Sequence, residues 1–328
     1  MKQRSLGKTG FLVSEIGLGT WQLGGKWGDS FNEQVARNVL YKALELGITF
    51  YDTADVYRDG LSEHYTSNIV KSANSNCIVA TKAGRRLHPH NAKGYNEKNL
   101  REFINASLNN MECEKIDLLQ LHCPPTAVYS SHKVFEILDT IQDEGLIRHY
   151  GVSVETVDEA LKAIEYPNVA TVQIIFNMFR LKPSEKFFIE AKKNNIGVIV
   201  RVPLASGLLT GKFSKATTFG KNDHRFFNRE GKAFNKGETF SGVNYDRGIE
   251  AINKLKEIVP PSFSLPQFAL KWILMFDAVS TVIPGASREE QVLENVKTSS
   301  LPELSPTVMN QVSSIYDEFF RDEIHQLW

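Results

Sequence analysis

The sequence is short of several things that would mark other kinds of protein. Its 328 residues include only three cysteines, Cys77, Cys113 and Cys123, an odd and sparse set that offers no disulfide framework. Charge of one sign is not in excess: 38 Lys plus Arg stand against 38 Asp plus Glu, which argues against a general nucleic-acid binder. Long apolar runs are missing as well. The most apolar stretch, Phe268 to Phe276, is broken by Lys271 and falls well below the roughly 20 residues of a spanning helix. The basic start, MKQRSLGKTGFLVSEIGLG, has no continuous apolar segment of the secretory type. No internal repeat or linker interrupts residues 1–328. These absences predict one cytoplasmic domain without nucleic-acid or membrane partners; a monomer is preferred, with an oligomer left open.

What is present is the composition of an ordinary globular protein, 42% hydrophobic and 23% charged, with ample material for a large core. Short β-branched runs alternate with longer amphipathic ones. Ile48–Tyr51, Cys77–Thr81, Ile116–Leu121, His149–Ser153, Ala170–Ile175, Gly197–Val202 and Val279–Ile283 read as buried parallel strands, and Val13–Leu18 reads as an eighth, interrupted by Gly17. Between them, segments such as Asn32–Leu46, Lys133–Asp143, Ser184–Asn194 and Pro266–Met275 carry apolar residues at helical spacing. Eight strand–helix units in about 300 residues predict a closed (β/α)8 barrel. Gly7-Lys8-Thr9-Gly10, set between apolar residues, reads as the turn of an N-terminal hairpin that plugs the barrel. Ala205–Asn244 is far longer than an ordinary connection and reads as a lid after the seventh strand, in preference to a disordered excursion.

In a parallel barrel the carboxyl ends of the strands line the functional mouth. Read in order, these ends and the turns beside them bring Asp52, Tyr57, Lys82, His122, Ser153, Gln173 and Arg201. Ionisable groups directly after apolar strands are costly to bury unless they pair or do chemistry. An ammonium beside a phenol favours the phenolate and lowers its pKa, so Lys82 is expected to tune Tyr57. Asp52 would hold Lys82, and His122 would bond a substrate oxygen. Such a set delivers a proton to a carbonyl oxygen as hydride reaches the carbon. No side chain supplies hydride, so a nicotinamide cofactor is implied.

The sequence resembles the aldo-keto reductase family through Gly17-Leu18-Gly19-Thr20-Trp21, Tyr51-Asp52-Thr53-Ala54-Asp55-Val56-Tyr57, Ala80-Thr81-Lys82 and Asp117–His122. Further matches are Gly151-Val152-Ser153, Pro203–Lys212 and Ile283–Ser287. The resemblance implies a catalytic tetrad of Asp52, Tyr57, Lys82 and His122. It implies nicotinamide contacts at Ser153 and Gln173, and a pyrophosphate loop over Pro203, Leu204, Gly207, Leu209, Gly211 and Lys212. Gly19, Thr20, Arg201, Gly285 and Ser287 join the implied cofactor contacts, Arg288, Gln291, Glu294 and Asn295 the adenosine end, and Trp21 the substrate pocket.

A predicted helix over Arg288–Val296 with Ser287 as N-cap offers exposed amides to phosphate. With Arg288 beside them, NADP(H) is expected over NAD(H). The sequence departs from the family at Val154, where Asn is common. It departs again at Arg201, where many members stack an aromatic ring, and at Gly285, where some have a phosphate-binding Lys. The planar guanidinium of Arg201 could also stack, and its positive charge is expected to favour neutral reduced cofactor over the cationic oxidised form. The reaction expected is reduction of an aldehyde or ketone, or the reverse oxidation. A cofactor-sensing role like that of potassium-channel beta subunits is the alternative. His88-Pro89-His90 has no nearby third ligand and is not taken as a metal site.

Overall fold

The computed structural model describes residues 1–25, 30–74 and 76–328. Two short strands, β1 (Gln3–Ser5) and β2 (Leu12–Ser14), form an antiparallel hairpin. The next eight are β3 (Leu18–Gly19), β4 (Phe50–Asp52), β5 (Ile78–Ala83), β6 (Ile116–His122), β7 (Ile147–Ser153), β8 (Val169–Ile175), β9 (Gly197–Arg201) and β10 (Val279–Val282). They pair in parallel in chain order, and the parallel bridges Ile16–Val282 and Gly19–Gly285 join the last to the first. The result is the (β/α)8 barrel. Among the described residues no helix is long and apolar enough to cross a membrane.

Alternation along the strands explains how one short sequence run makes both core and site. Successive strand residues point to opposite faces. Val79, Leu119, Leu121, Val152, Val172, Ile174, Val198 and Val200 belong to the large apolar cluster shared with the surrounding helices. Phe50, Ile78, Ala80, Leu118, Ile199 and Ile283 instead form a second, smaller cluster with Leu6 and Val13 of the hairpin. That cluster is the plug of the barrel floor. Burying a side chain such as Leu6 contributes about 1.5–3 kcal/mol, so the hairpin stabilises the barrel as well as closing it. The same inward rows continue upward as Phe50 to Asp52, Ala80 to Lys82, and Leu118 to Gln120 to His122. The pleat that fills the floor with methyl groups thereby fills the mouth with polar ones.

The structure divides the run Val13–Leu18 differently from the sequence reading. Val13 pairs with Arg4 in the hairpin, and the barrel strand proper is only Leu18–Gly19. Antiparallel pairing and the contact of Val13 with the plug draw it away from the barrel strand. Helices occur at Glu33–Glu45, His132–Asp143, Phe187–Lys193 and Leu265–Leu274, close to expectation. The last expected helix runs Glu289–Lys297 with Arg288, not Ser287, at its N-cap. Gln291 Oε1 accepts from the Ser287 amide at 2.8 Å and from its hydroxyl at 3.2 Å, which takes that hydroxyl away from the helix amides.

Candidate active site

Asp52 ends β4, and the turn that follows carries Tyr57. Tyr57 N–H donates to Ala54 O at 3.0 Å, and Arg58 and Asp59 next to it both hold positive φ angles of 53° and 54°. Non-glycine residues in this region cost on the order of 1 kcal/mol each and gather where a side chain must be aimed. Lys82 extends from β5. Its Nζ donates to Asp52 Oδ2 at 2.5 Å, to Thr53 O at 2.9 Å and to Tyr57 OH at 3.3 Å. The three donor positions of the ammonium are thereby directed at a carboxylate, a carbonyl and the phenol. His122 ends β6, and its ring meets the Tyr57 ring edge-on at 5.9 Å between centroids. Its Nδ1 is buried without a hydrogen-bond partner among the described residues.

The other Asp52 oxygen is also held. Oδ1 accepts from Gln120 Nε2 at 3.1 Å and from Gln173 Nε2 at 2.7 Å, while Gln173 Nε2 also donates to Gln120 Oε1 at 3.1 Å. Register supports the arrangement: Lys82 sits opposite Gln120, His122 opposite Ser153, and Ser153 opposite Gln173. The carboxylate fixes the orientation of the Gln173 amide, so its carbonyl oxygen is the end left for another donor.

Burial opposes charge on Lys82, Tyr57 and His122, and pairing decides which remains ionised. For Lys82, burial works against the ammonium, but Asp52 and Tyr57 more than offset it and hold the pKa above its usual value. For Tyr57, burial raises the pKa and the opposing pull of Lys82 does not cancel it, so the phenol stays protonated. This corrects the expectation of a net lowered value: the lysine pulls in the predicted direction, but desolvation is stronger. Burial, followed by the charges of Arg85, Lys82 and Arg201, pushes His122 well below its ordinary value. The set therefore presents a protonated phenol, a permanent ammonium behind it and a neutral imidazole in front.

Arg201 does not stand free. Its guanidinium donates to Val154 O at 3.0 Å and Glu155 Oε2 at 3.1 Å, and lies 3.7 Å from Glu238 Oε1. Arg85 lies 3.2 Å from the same Glu238 oxygen and 3.6 Å from Glu155. Two cations and two carboxyls thus form one partly buried cluster. Burial, and then repulsion from Glu238, raises Glu155 above its usual range. Burial works the same way on Glu238, but Arg85 and Arg201 override it and hold that carboxylate ionised. The bias toward neutral reduced cofactor expected from an unpaired Arg201 is accordingly reduced. Cys123, Glu155 and Glu238 approach one another closely enough to share an ion, yet the carboxylates are already engaged by guanidinium groups. Burial pushes the Cys123 thiol up to about 12, consistent with an inert pocket thiol.

The remaining sequence candidates divide by location. Among the described residues Ser153 Oγ has only the weak Cys123 thiol as a hydrogen-bond partner, at 3.4 Å, and is available to a stronger one. Thr20 Oγ1 is occupied, at 2.9 Å from Asp52 O and 2.8 Å from Ser62 Oγ. Gly19 and Gly285 meet at the seam of the barrel, where a Cβ on Gly19 would fall 2.9 Å from Ile283 O. Pro203 and Leu204 lead into the turn Ala205–Thr210, with Gly207 at φ 97° and Gly211 left-handed at its end. Leu209 is fully buried, so its side chain is core. Lys212 is exposed. After β10, Arg288 is exposed and 3.9 Å from Glu290; Glu294 accepts from Ser264 Oγ at 2.8 Å, and Asn295 is buried. Trp21 packs edge-on to His224 of the long segment, 4.9 Å between centroids.

Sequence reasoning missed Gln120, Arg85, Glu155, Glu238 and Arg180. Gln120 had a signal, since it lies two residues before His122 on the inward row. Glu238 had none, because Ala205–Asn244 has no periodicity to show which residues turn inward. Ser206 Oγ fixes that segment at the mouth by donating to Glu238 O and accepting from Phe240 N, both at 3.0 Å.

The family model described as "Aldo/keto reductase family" matches residues 15–317. Among curated relatives, the uncharacterized oxidoreductase YqkF of Bacillus subtilis is 28% identical over 318 residues, with 96% of each chain covered. A probable voltage-gated potassium channel subunit beta of Arabidopsis thaliana is also 28% identical, again over 96% of both chains. Among solved structures, the holo form of the aldo-keto reductase AKR11C1 from Bacillus halodurans superposes with a TM-score of 0.79 at 25% identity, covering 99% of both chains.

Proposed function

The chain belongs to the aldo/keto reductase family, and from that premise we propose that it is an NADP(H)-dependent carbonyl reductase in which Tyr57 is the proton donor. The observation that carries the proposal is the triple engagement of Lys82 Nζ by Asp52, Thr53 O and Tyr57 OH. A bound nicotinamide dinucleotide supplies hydride to the carbonyl carbon. The donor set fits such a group: Ser153 Oγ and the remaining carbonyl end of Gln173 are the amide-reading pair. His122 Nε2–H and Tyr57 OH point to one substrate oxygen, polarising it before Tyr57 releases its proton. Lys82, fixed by Asp52, stabilises the phenolate left behind, and Gln120 and Gln173 keep Asp52 from turning away. Residues Pro203–Lys212 and Trp21 are assigned to closing over cofactor and substrate. The test is to supply NADPH with a panel of aldehydes and ketones and follow its oxidation. Binding without oxidation would favour a cofactor-sensing role, the reading suggested by the similarity to a channel beta subunit.

Preference for the 2′-phosphate is assigned to Arg288. A charge-assisted bond is worth about 1.5–3 kcal/mol, so Arg288→Ala is expected to weaken NADPH binding about tenfold or more and NADH binding less than about twofold. Isothermal titration with both cofactors measures this, and equal losses would reject the assignment.

The guanidinium–carboxyl cluster predicts a pH effect on the oxidised cofactor alone. As pH rises and Glu155 ionises, the cluster loses one unit of positive charge, which relieves repulsion of the cationic nicotinamide ring. NADP+ affinity is expected to rise severalfold between about pH 6 and about pH 8 while NADPH affinity stays level. Glu155→Gln should abolish that difference in slope. An unchanged slope in the variant would show that the cluster does not sense the ring.

A further inference from the structure

Arg180 lies in the loop after β8, the strand that carries Gln173. It is 2% exposed, and none of its three guanidinium nitrogens has a hydrogen-bond partner among the described residues. The ring of Trp328 stacks over it, 4.0 Å from the guanidinium carbon. Trp328 Nε1 is itself buried without an acceptor among the described residues. Four donor-bearing nitrogens from two adjacent side chains are thus sealed without protein acceptors.

Buried charges in native proteins are ordinarily paired, because an isolated one is expensive to desolvate. An unpaired guanidinium therefore marks a position kept for something other than stability. Its setting is part of the mouth. Asn177, three residues earlier, donates to Val202 O at 2.9 Å and Ser241 Oγ at 2.7 Å, tying this loop to the end of β9 and to the long segment. Glu155, Arg201, Tyr316 and Glu238 all face Arg180 closely enough to act on its charge, yet the two glutamates bond the other two arginines. Gly237 is shaped to it: a Cβ there would fall 2.0 Å from Arg180 Nη2.

We propose that Arg180 binds an anionic group of the substrate, so that the protein selects aldehydes or ketones bearing a carboxylate or a phosphate, with Trp328 stacked on the guanidinium until that group enters. The anion completes the pairing that Arg180 lacks, accepting two parallel N–H bonds from the guanidinium fork and a third from the Trp328 indole. The substrate class rests on the carbonyl-reductase reading; the anion site itself does not.

Two measurements on the full chain test it. Matched substrates with NADPH, 4-carboxybenzaldehyde against benzaldehyde and glyceraldehyde 3-phosphate against glyceraldehyde, should show kcat/KM at least about tenfold higher for one or both anionic members. The pair showing the larger ratio distinguishes carboxylate from phosphate. Arg180→Met should erase the ratio by raising KM for the anionic member alone, with no fall in Tm because an unpaired buried charge has been removed. Arg180→Lys should keep part of it. Independently of turnover, succinate or inorganic phosphate should perturb the tryptophan fluorescence of the cofactor-free protein, and Arg180→Met should abolish that response. Absence of any anion preference or fluorescence response in the wild type overturns the proposal. So does an unchanged ratio in Arg180→Met, or parallel loss of neutral-substrate activity and Tm, which would make Arg180 structural. Failure to reduce the neutral carbonyls would count against the reductase reading, leaving the anion titration to decide this one.

Discussion

Tyr57→Phe is expected to lower kcat for carbonyl reduction by about a thousandfold, within the range that a positioned general acid contributes, while cofactor affinity stays within about twofold. The phenylalanine ring retains the packing against His122 and loses only the hydroxyl that Lys82 Nζ meets at 3.3 Å. Lys82, Asp52 and Thr53 remain bonded to one another, so the variant should melt near the wild-type temperature. The pH dependence gives the loss its signature. Burial raises Tyr57 above its ordinary value, so the wild-type phenol is fully protonated through the neutral range. Reduction should be level there and fall only at high pH, as the proton is lost before the substrate arrives. Alcohol oxidation, which needs the phenolate, should rise over the same interval. A kcat in Tyr57→Phe within tenfold of wild type would remove the phenol from the chemistry.

Lys82→Met is expected to damage both turnover and stability. Lys82 and Asp52 are each almost completely buried, and removing one member of such a pair strands the other, at a cost of about 3–5 kcal/mol. For a domain of this size that corresponds to a fall in Tm on the order of 10 °C. Gln120 and Gln173 still donate to Asp52, which places the effect toward the lower end of that range. Without the ammonium, phenolate at Tyr57 is unsupported, and kcat should fall at least as far as in Tyr57→Phe. Combining Lys82→Met with Asp52→Asn removes the stranded charge, so the double variant should recover most of the lost Tm and none of the lost activity. Calorimetry and steady-state kinetics on the same preparations separate the two effects. If the double variant melts no higher than Lys82→Met alone, the destabilisation is not one of charge.

The two sets of residues differ in how far they could be read ahead of the structure. Asp52, Lys82 and His122 were legible because strand pleating is a simple rule: a polar residue at the end of an apolar run, in phase with the inward row, reaches the mouth. The barrel was legible for the same reason. Glu238 and Arg180 were not, since each is placed by irregular backbone whose path depends on long-range packing, through Ser206, Asn177 and Trp328. The charge of Arg201 at its strand end was legible, but its pairing was not, because one of its two carboxylate partners, Glu238, comes from the aperiodic segment. Ser287 shows a smaller version of this failure, where a side chain one turn ahead captured the hydroxyl expected to cap the helix. Val13 shows that a segment read as one strand can be divided between a hairpin and a barrel strand when the floor of the barrel needs a plug.

Single-turnover transfer from NADPH deuterated at the reactive position addresses the proposed chemistry most directly. Wild-type protein mixed with that cofactor and a reducible aldehyde should place the deuterium on the carbinol carbon with a primary isotope effect, and Tyr57→Phe should bind the labelled cofactor equally well yet transfer it about a thousandfold more slowly. Tight cofactor binding with no label in any alcohol product, or equal transfer rates in the two proteins, would contradict it.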